Sequence, residues 1–368
     1  MAKRMGRLVS IAKSDNKVFP VSSKEERKCK NSRSSEANLL FDVLQTLLLF
    51  IAGLFAKETT HIGIQSSVAW IASVGILSAA YVRFFLLGHE LFHIGNARLQ
   101  QRIYSVLRLV VGSMTLSPII ALKLSHQVHH SFNCNWSIYK GPMLIIERSD
   151  FLSLDGKERI AYWLTRRIEI VWLAGVVAHI LIPRLRLVKD FCETLVKRSR
   201  MRGLLWQSQV KNGLVLSVGR MEVDDTFIAS IGSTFLLYLL SRINGDLVFL
   251  YLLSVVVGQS VIMLLIHMQH TFPGAYAASL ETWKKERFAD GTANINLGKI
   301  GNWITNDFAV HHVRHHLNET VGWRDLDKVE IENGNIQSIK FDLSTIYKCF
   351  SLLIWCKQRQ TFVRLEDI

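Results

Sequence analysis

Residues 247–273 read LVFLYLLSVVVGQSVIMLLIHMQHTFP, in which an uncharged apolar run at 247–266 is followed at once by His267 and His270. At about 1.5 Å per residue, some 20 such residues cross the roughly 30 Å of a bilayer's hydrocarbon layer. The stretch therefore predicts a membrane helix with imidazole at its end. Comparable windows occur at residues 39–56 (LLFDVLQTLLLFIAGLFA), 67–88 (SVAWIASVGILSAAYVRFFLLG) and 226–240. The first two are joined by a short loop and the last two by Ser-Arg-Ile-Asn-Gly-Asp. Two hairpins follow. The fold class expected is an all-α, multi-pass membrane protein with about four transmembrane helices, at residues 39–56, 67–88, 226–240 and 247–266.

Composition agrees. The 368 residues are 49% hydrophobic and 20% charged, which excludes a disordered chain, a collagen and a small disulfide scaffold. The 44 Lys and Arg exceed the 30 Asp and Glu to give a net charge of +14, yet the apolar windows argue against a nucleic-acid binder. The basic residues sit where orientation is decided. Ten precede the first helix and nine lie between positions 184 and 220, whereas each hairpin loop holds about one. By the positive-inside rule both chain ends and the middle segment face the cytoplasm. The expected organisation is a basic cytoplasmic tail at 1–37, a membrane domain at 38–330 and a cytoplasmic C-terminal tail at 331–368, whose apolar residues 347–355 lie on the membrane. Residues 168–183 are expected to be interfacial and residues 103–124 a half-buried helical pair. Five scattered cysteines, at positions 29, 134, 192, 349 and 356, contain no C-x-x-C pair and read as reduced thiols.

Eleven of the 13 histidines fall within residues 89–93, 126–130, 267–270 and 311–316. His89 and His93 are spaced i,i+4, while His126, His129 and His130 are spaced i,i+3,i+4, as are His312, His315 and His316. On a helix each set shares one face. The first window follows the second spanning helix and the third ends the fourth, so all can converge at one membrane boundary. Neutral imidazole is the commonest metal ligand, and this many exceed the four that one tetrahedral zinc takes. Two metals are implied, and imidazole without thiolate favours iron among redox metals. A rival reading takes HELFH, His89 to His93, as the zinc motif H-E-x-x-H with Glu90 as general base and Leu154-Asp155-Gly156 supplying a third ligand. That reading leaves nine clustered histidines without a role.

The boxes H-x3-H, H-x2-HH and H-x2-HH resemble those of the membrane fatty acid desaturase family, which also includes hydroxylases. The likeness extends to LSPIIALKLSHQVHHS at residues 116–131 and to HMQHTFP at residues 267–273. Carried over by motif, the metal ligands would be His89, His93, His126, His129, His130, His270, His312, His315 and His316. His267 and His311 fall outside the pattern and are additional or outer groups. Glu90, Asp307 and Glu319 are acceptors available to the imidazole N–H groups. The resemblance implies two non-haem iron ions, O2 as co-substrate, and introduction of a double bond into a fatty acyl lipid. The alternative within the family is hydroxylation or ketolation of acyl chains, alkanes or carotenoids. Without a haem-binding or Cys-rich segment, the electrons must come from a separate ferredoxin or cytochrome with its reductase. The active site would face the cytoplasm, from the inner membrane of a bacterium or the endoplasmic reticulum of a eukaryote. Trp70, Tyr81, Phe84, Phe85 and Trp136 are candidate walls of an acyl tunnel, and Arg83 is expected to snorkel to the membrane surface.

Overall fold

The computed structural model describes residues 34–57, 66–93, 101–138, 145–189, 192, 213–319, 321–329 and 336–368. In chain order the helices begin with α1 (Ser34–Ala56), α2 (Ser66–His93), α3 (Gln101–Thr115) and α4 (Ile119–Ser131). Strand β1 (Ile146–Glu147) precedes α5 (Arg148–Ser153), α6 (Gly156–Leu164) and α7 (Val171–Gly175), the last continued by a π turn at Val176–Leu181. Then come α8 (Gly213–Ile243), α9 (Gly245–His270), β2 (Asn294–Ile295), α10 (Gly298–Ile304) and α11 (His312–Leu317). Strand β3 (Ser338–Ile339), α12 (Leu343–Ser351), β4 (Leu352–Cys356) and β5 (Thr361–Arg364) complete the order.

Among the described residues four helical windows are long and apolar enough to cross a membrane: Asn38–Ala56, Ser66–Leu91, Asp225–Ile243 and Gly245–His270. They form the two expected hairpins, and the protein is an all-α membrane protein with a histidine-rich cap. The basic stretches at 1–37 and 184–220 lie largely outside the described residues, as does Cys29. Cys134, Cys349 and Cys356 are buried free thiols, and Cys192 is an exposed one.

Helix α2 packs along α9. A Cβ on Gly258 would stand 2.5 Å from the Tyr81 ring, so only glycine admits this approach. At the end of the pair remote from the histidines, Lys57 Nζ meets Asp246 Oδ2 at 2.6 Å and lies over the Trp70 ring. Helix α7 also packs on α9. Gly175 abuts Gln259 and Met263, where a Cβ would come within 2.8 Å of either side chain. Residues 168–183 therefore run beside a spanning helix instead of lying across its end.

Helices α3 and α4 meet in a tight turn at residues 114–118, where Leu116 takes a left-handed φ of 54°. Three successive carbonyls of this turn receive hydrogen bonds from three different elements. Tyr251 Oη of α9 donates to Met114 O at 2.7 Å, Tyr81 Oη of α2 to Thr115 O at 2.9 Å, and Arg184 Nη1 to Leu116 O at 2.7 Å. Irregular backbone beside spanning helices requires such partners, because hydrocarbon offers none.

The C-terminal residues are folded inward. Strand β4 pairs in parallel with β1 and antiparallel with β5, and all five of its residues are buried. Residues 347–351 are thus the end of α12, with Tyr347 exposed, and residues 352–355 belong to a buried central strand, so the stretch as a whole does not lie flat on a membrane; apolar side chains suit either setting, and only the pairing with β1 decides. Arg83 is also corrected. It is 1% exposed, donates from Nε to Thr46 Oγ1 at 3.3 Å and from Nη1 to Trp303 O, and stacks over the Trp303 ring. Its partners hold it inside the protein, so it does not snorkel.

Candidate metal centre

Each histidine set leaves the C-terminal part of a helix. His93 is the last residue of α2 and His270 the last of α9, while His129 and His130 stand in the last turn of α4. His315 and His316 occupy the last turn of the short α11. The unpaired carbonyls at a helix C-terminus carry roughly half a negative charge, so three long helices aim their cation-favouring ends at one locus. Within it, one ring nitrogen from each of His89, His93, His126, His130 and His315 lies within 4.8 Å of the others, and His129, His270 and His316 form a second such group. His312 joins the second, with its Nε2 2.9 Å from Nε2 of His270. All nine motif-matched histidines are gathered here.

The contacts are close. Nε2 of His126 stands 2.9 Å from that of His93 and 2.8 Å from that of His130, and His129 and His316 approach at 3.1 Å through the same atoms. Seven of the nine side chains are buried, His93 and His126 being the half-buried ones. Burial dominates their acid–base behaviour. It lowers His93 to about 4, with Lys123 adding to the effect. Burial, then neighbouring imidazoles, drives His126, His129, His130, His312, His315 and His316 well below the ordinary value. At neutral pH these rings are uncharged, and lone pairs are available to a metal.

Neutral rings with nitrogens at such separations fit metal ligation better than mutual hydrogen bonding. His126 Nε2 can carry only one proton or one lone pair, yet it faces two other Nε2 atoms. The buried Nε2 of His315 has no hydrogen-bond partner within the protein. The residues therefore fit two metal ions, and a donor set of imidazole without thiolate suits iron.

The outer groups separate. Glu319 places Oε2 3.7 Å from Nδ1 of His130 and 3.8 Å from Nδ1 of His93. Glu90, next to His89, instead accepts a hydrogen bond from the Trp323 backbone and lies against Gly322, so it braces residues 321–329 on α2. Asp307, with a left-handed φ of 54°, acts electrostatically on Arg83 and His311. His311 faces Arg314 Nη1 at 3.1 Å, and His267 faces Cys349 O at 3.3 Å with its ring on Phe350. Neither belongs to the two groups. Asp155 caps α6 in a capping box with Glu158, the two side chains exchanging backbone hydrogen bonds. With Glu90 and Asp155 so engaged, the zinc-protease geometry is not assembled.

Phe308 escaped the sequence reading. Its ring lies 4.6 Å from His89, 4.8 Å from His312 and 5.0 Å from His315, forming an apolar wall of the cluster. Its one sequence signal is a place three residues before a histidine pair, which is shared with many structural aromatics. Three of the aromatics considered for a tunnel wall have other ring partners. Trp136 is buried edge-on against Phe362, Trp70 is near Phe249, and Phe85 is against His179.

The family model described as Fatty acid desaturase matches residues 67–334. The chain is also similar to a protein of Bacillus subtilis (strain 168) named Fatty acid desaturase, at 21% identity over 337 residues that cover 90% of this chain and 87% of that protein. The span matched by the family model contains every histidine of the cluster.

Proposed function

The chain belongs to the fatty acid desaturase family, and on that premise we propose that it introduces a double bond into a fatty acyl chain at two iron ions held by His89, His93, His126, His129, His130, His270, His312, His315 and His316. The observation that carries this reading is the convergence of nine neutral imidazoles at one locus, where the ends of the spanning helices α2 and α9 meet α4 and α11. When bound, the irons supply the reduction of O2 and the removal of hydrogen from an unactivated methylene. One acyl chain, one O2, two electrons and two protons yield one alkene and two waters. A separate ferredoxin or cytochrome delivers the electrons, and the cytoplasmic orientation follows from the basic residues that flank the spans.

The chain's own residues prepare the centre. Burial keeps the rings unprotonated, Phe308 covers one side with an apolar ring, and the Glu319 carboxylate stands 3.8 Å from the outer nitrogen of His93 and 3.7 Å from that of His130, where its charge acts on both rings. Positioning of the acyl chain decides between a second hydrogen removal and return of oxygen, so it decides between alkene and alcohol.

The test is lipid profiling by mass spectrometry in a host that expresses the chain with a compatible electron donor, beside His126→Ala and His315→Ala. The expected result is a new acyl species two hydrogens lighter, absent in both variants, with about two irons per purified chain. A species one oxygen heavier would reassign the enzyme as a hydroxylase. A single zinc, with peptidase activity lost in Glu90→Ala, would overturn the reading.

A further inference from the structure

We propose that a pocket formed by α6, α12 and β5 binds the phosphate headgroup of an anionic membrane phospholipid. The pocket has a volume of about 480 Å³ and is separate from the histidine cluster. This inference is independent of the reaction and rests on depth, rim and charge.

Its depth follows from contacts along α9. His179 Nδ1 meets Gln259 Oε1 at 2.9 Å, and Gly175, one turn earlier, abuts Gln259 and Met263, so α7 runs antiparallel to α9. Ile168, on the pocket wall and about 10 Å further back, then stands near the level of the last turn of α9. Phe350 fixes the opposite wall at that level, because its ring lies 4.4 Å from the His267 ring. The pocket is therefore placed where hydrocarbon gives way to headgroups.

The rim suits that depth. Trp163 is 41% exposed and Tyr347 73%, and Ile160, Leu164 and Leu343 are exposed on the same two helices. Aromatic and apolar side chains gathered around a cationic pocket are unfavourable in water and favourable at a membrane interface.

The charge suits a phosphate. Arg166, Arg167 and Arg364 line the pocket against Glu169 and Glu366. Arg166 is held rigidly, with its guanidinium 3.6 Å from the Tyr162 ring centre and Nη1 donating to Tyr162 O and Thr165 Oγ1. Arg167 pairs with Glu169 at 2.6 Å and Arg364 with Glu366 at 2.8 Å, and both arginines lie within electrostatic reach of Tyr347. Exposed ion pairs of this kind contribute little, so a phosphate can displace the carboxylates and accept from both guanidinium forks.

The test is native mass spectrometry of the purified, metal-loaded full chain in detergent, titrated with dioleoylphosphatidylglycerol and with dioleoylphosphatidylcholine. The first phosphatidylglycerol should bind about tenfold more tightly than phosphatidylcholine. Arg364→Gln should remove that preference, and the exposed Arg359→Gln should keep it. Glu169→Gln with Glu366→Gln should strengthen it, a gain that a misfolded variant cannot produce. Equal affinity for the two lipids, or a preference that survives Arg364→Gln and ignores the glutamate variants, would overturn the site. Displacement of phosphatidylglycerol by millimolar inorganic phosphate alone would also overturn it, because the apolar rim would then contribute nothing.

Discussion

The carboxylate of Glu319 stands 3.7 Å from Nδ1 of His130, and the same oxygen lies 3.8 Å from Nδ1 of His93. One carboxylate thus addresses the outer nitrogens of two rings whose Nε2 atoms point into the same metal group. Removing an acceptor of this kind typically weakens a metal site by about 10–100-fold. Glu319→Ala is expected to lose metal affinity in that range, measured by competition with a chromogenic chelator, while Glu319→Gln retains part of it. Equal affinities in all three proteins would show that Glu319 does not orient the rings.

Acid should weaken the metal-free fold. Histidines of the unfolded chain take up protons near pH 6.5, whereas burial holds folded His93 down to about 4 and also drives the deeper rings well below the ordinary value. Between these values the unfolded chain binds more protons than the folded one. Stability is therefore full above about pH 6.5 and falls as the pH drops toward about 4. Thermal unfolding of chelator-treated protein at a series of pH values across this window checks the sign; a Tm that rises on acidification would contradict it.

The spanning pair tolerates no side chain at Gly258. Gly258→Val drives a branched side chain into the Tyr81 ring, where even a Cβ would sit at 2.5 Å. Overpacking of this sort costs about 1–3 kcal/mol. The expected readout is a lower Tm in detergent, with Gly245→Ala, which meets no atom within 4 Å, unchanged by comparison.

Arg184→Met removes the donor to the Leu116 carbonyl but keeps an apolar stem of similar length. A buried acceptor left without a partner costs about 1–3 kcal/mol. Loss of stability together with reduced metal content is expected, because α4, which carries His126, His129 and His130, begins at Ile119, directly after the turn ends at Pro118. A variant with normal Tm and full metal content would show that the turn holds itself.

The spans were legible because hydrocarbon thickness dictates the length of an apolar run without reference to any partner. The histidine faces were legible because spacings of three and four place side chains together on any helix. What escaped depends on distant partners. His267 and His270 end the same helix one turn apart, and only the approach of Cys349 and Phe350 separates the ring facing α12 from the ring facing the cluster. Arg83 reads as a snorkelling cation until Trp303, 220 positions later, arrives to receive it. Residues 352–356 match a membrane-surface stretch in composition, and their strand character comes from pairing with Ile146 and Glu147.

The turn at residues 114–118 sets an order of synthesis. Its carbonyls are bound by Tyr81, which is made earlier, and by Arg184 and Tyr251, which follow by 68 and 137 positions. A ribosome that has finished α4 has therefore produced three of the nine histidines on a helix whose anchor is still missing two of its three clasps. The chain cannot close its histidine cluster as it emerges, and a metal ion that arrives before residue 251 has entered the membrane meets an unfinished receptacle.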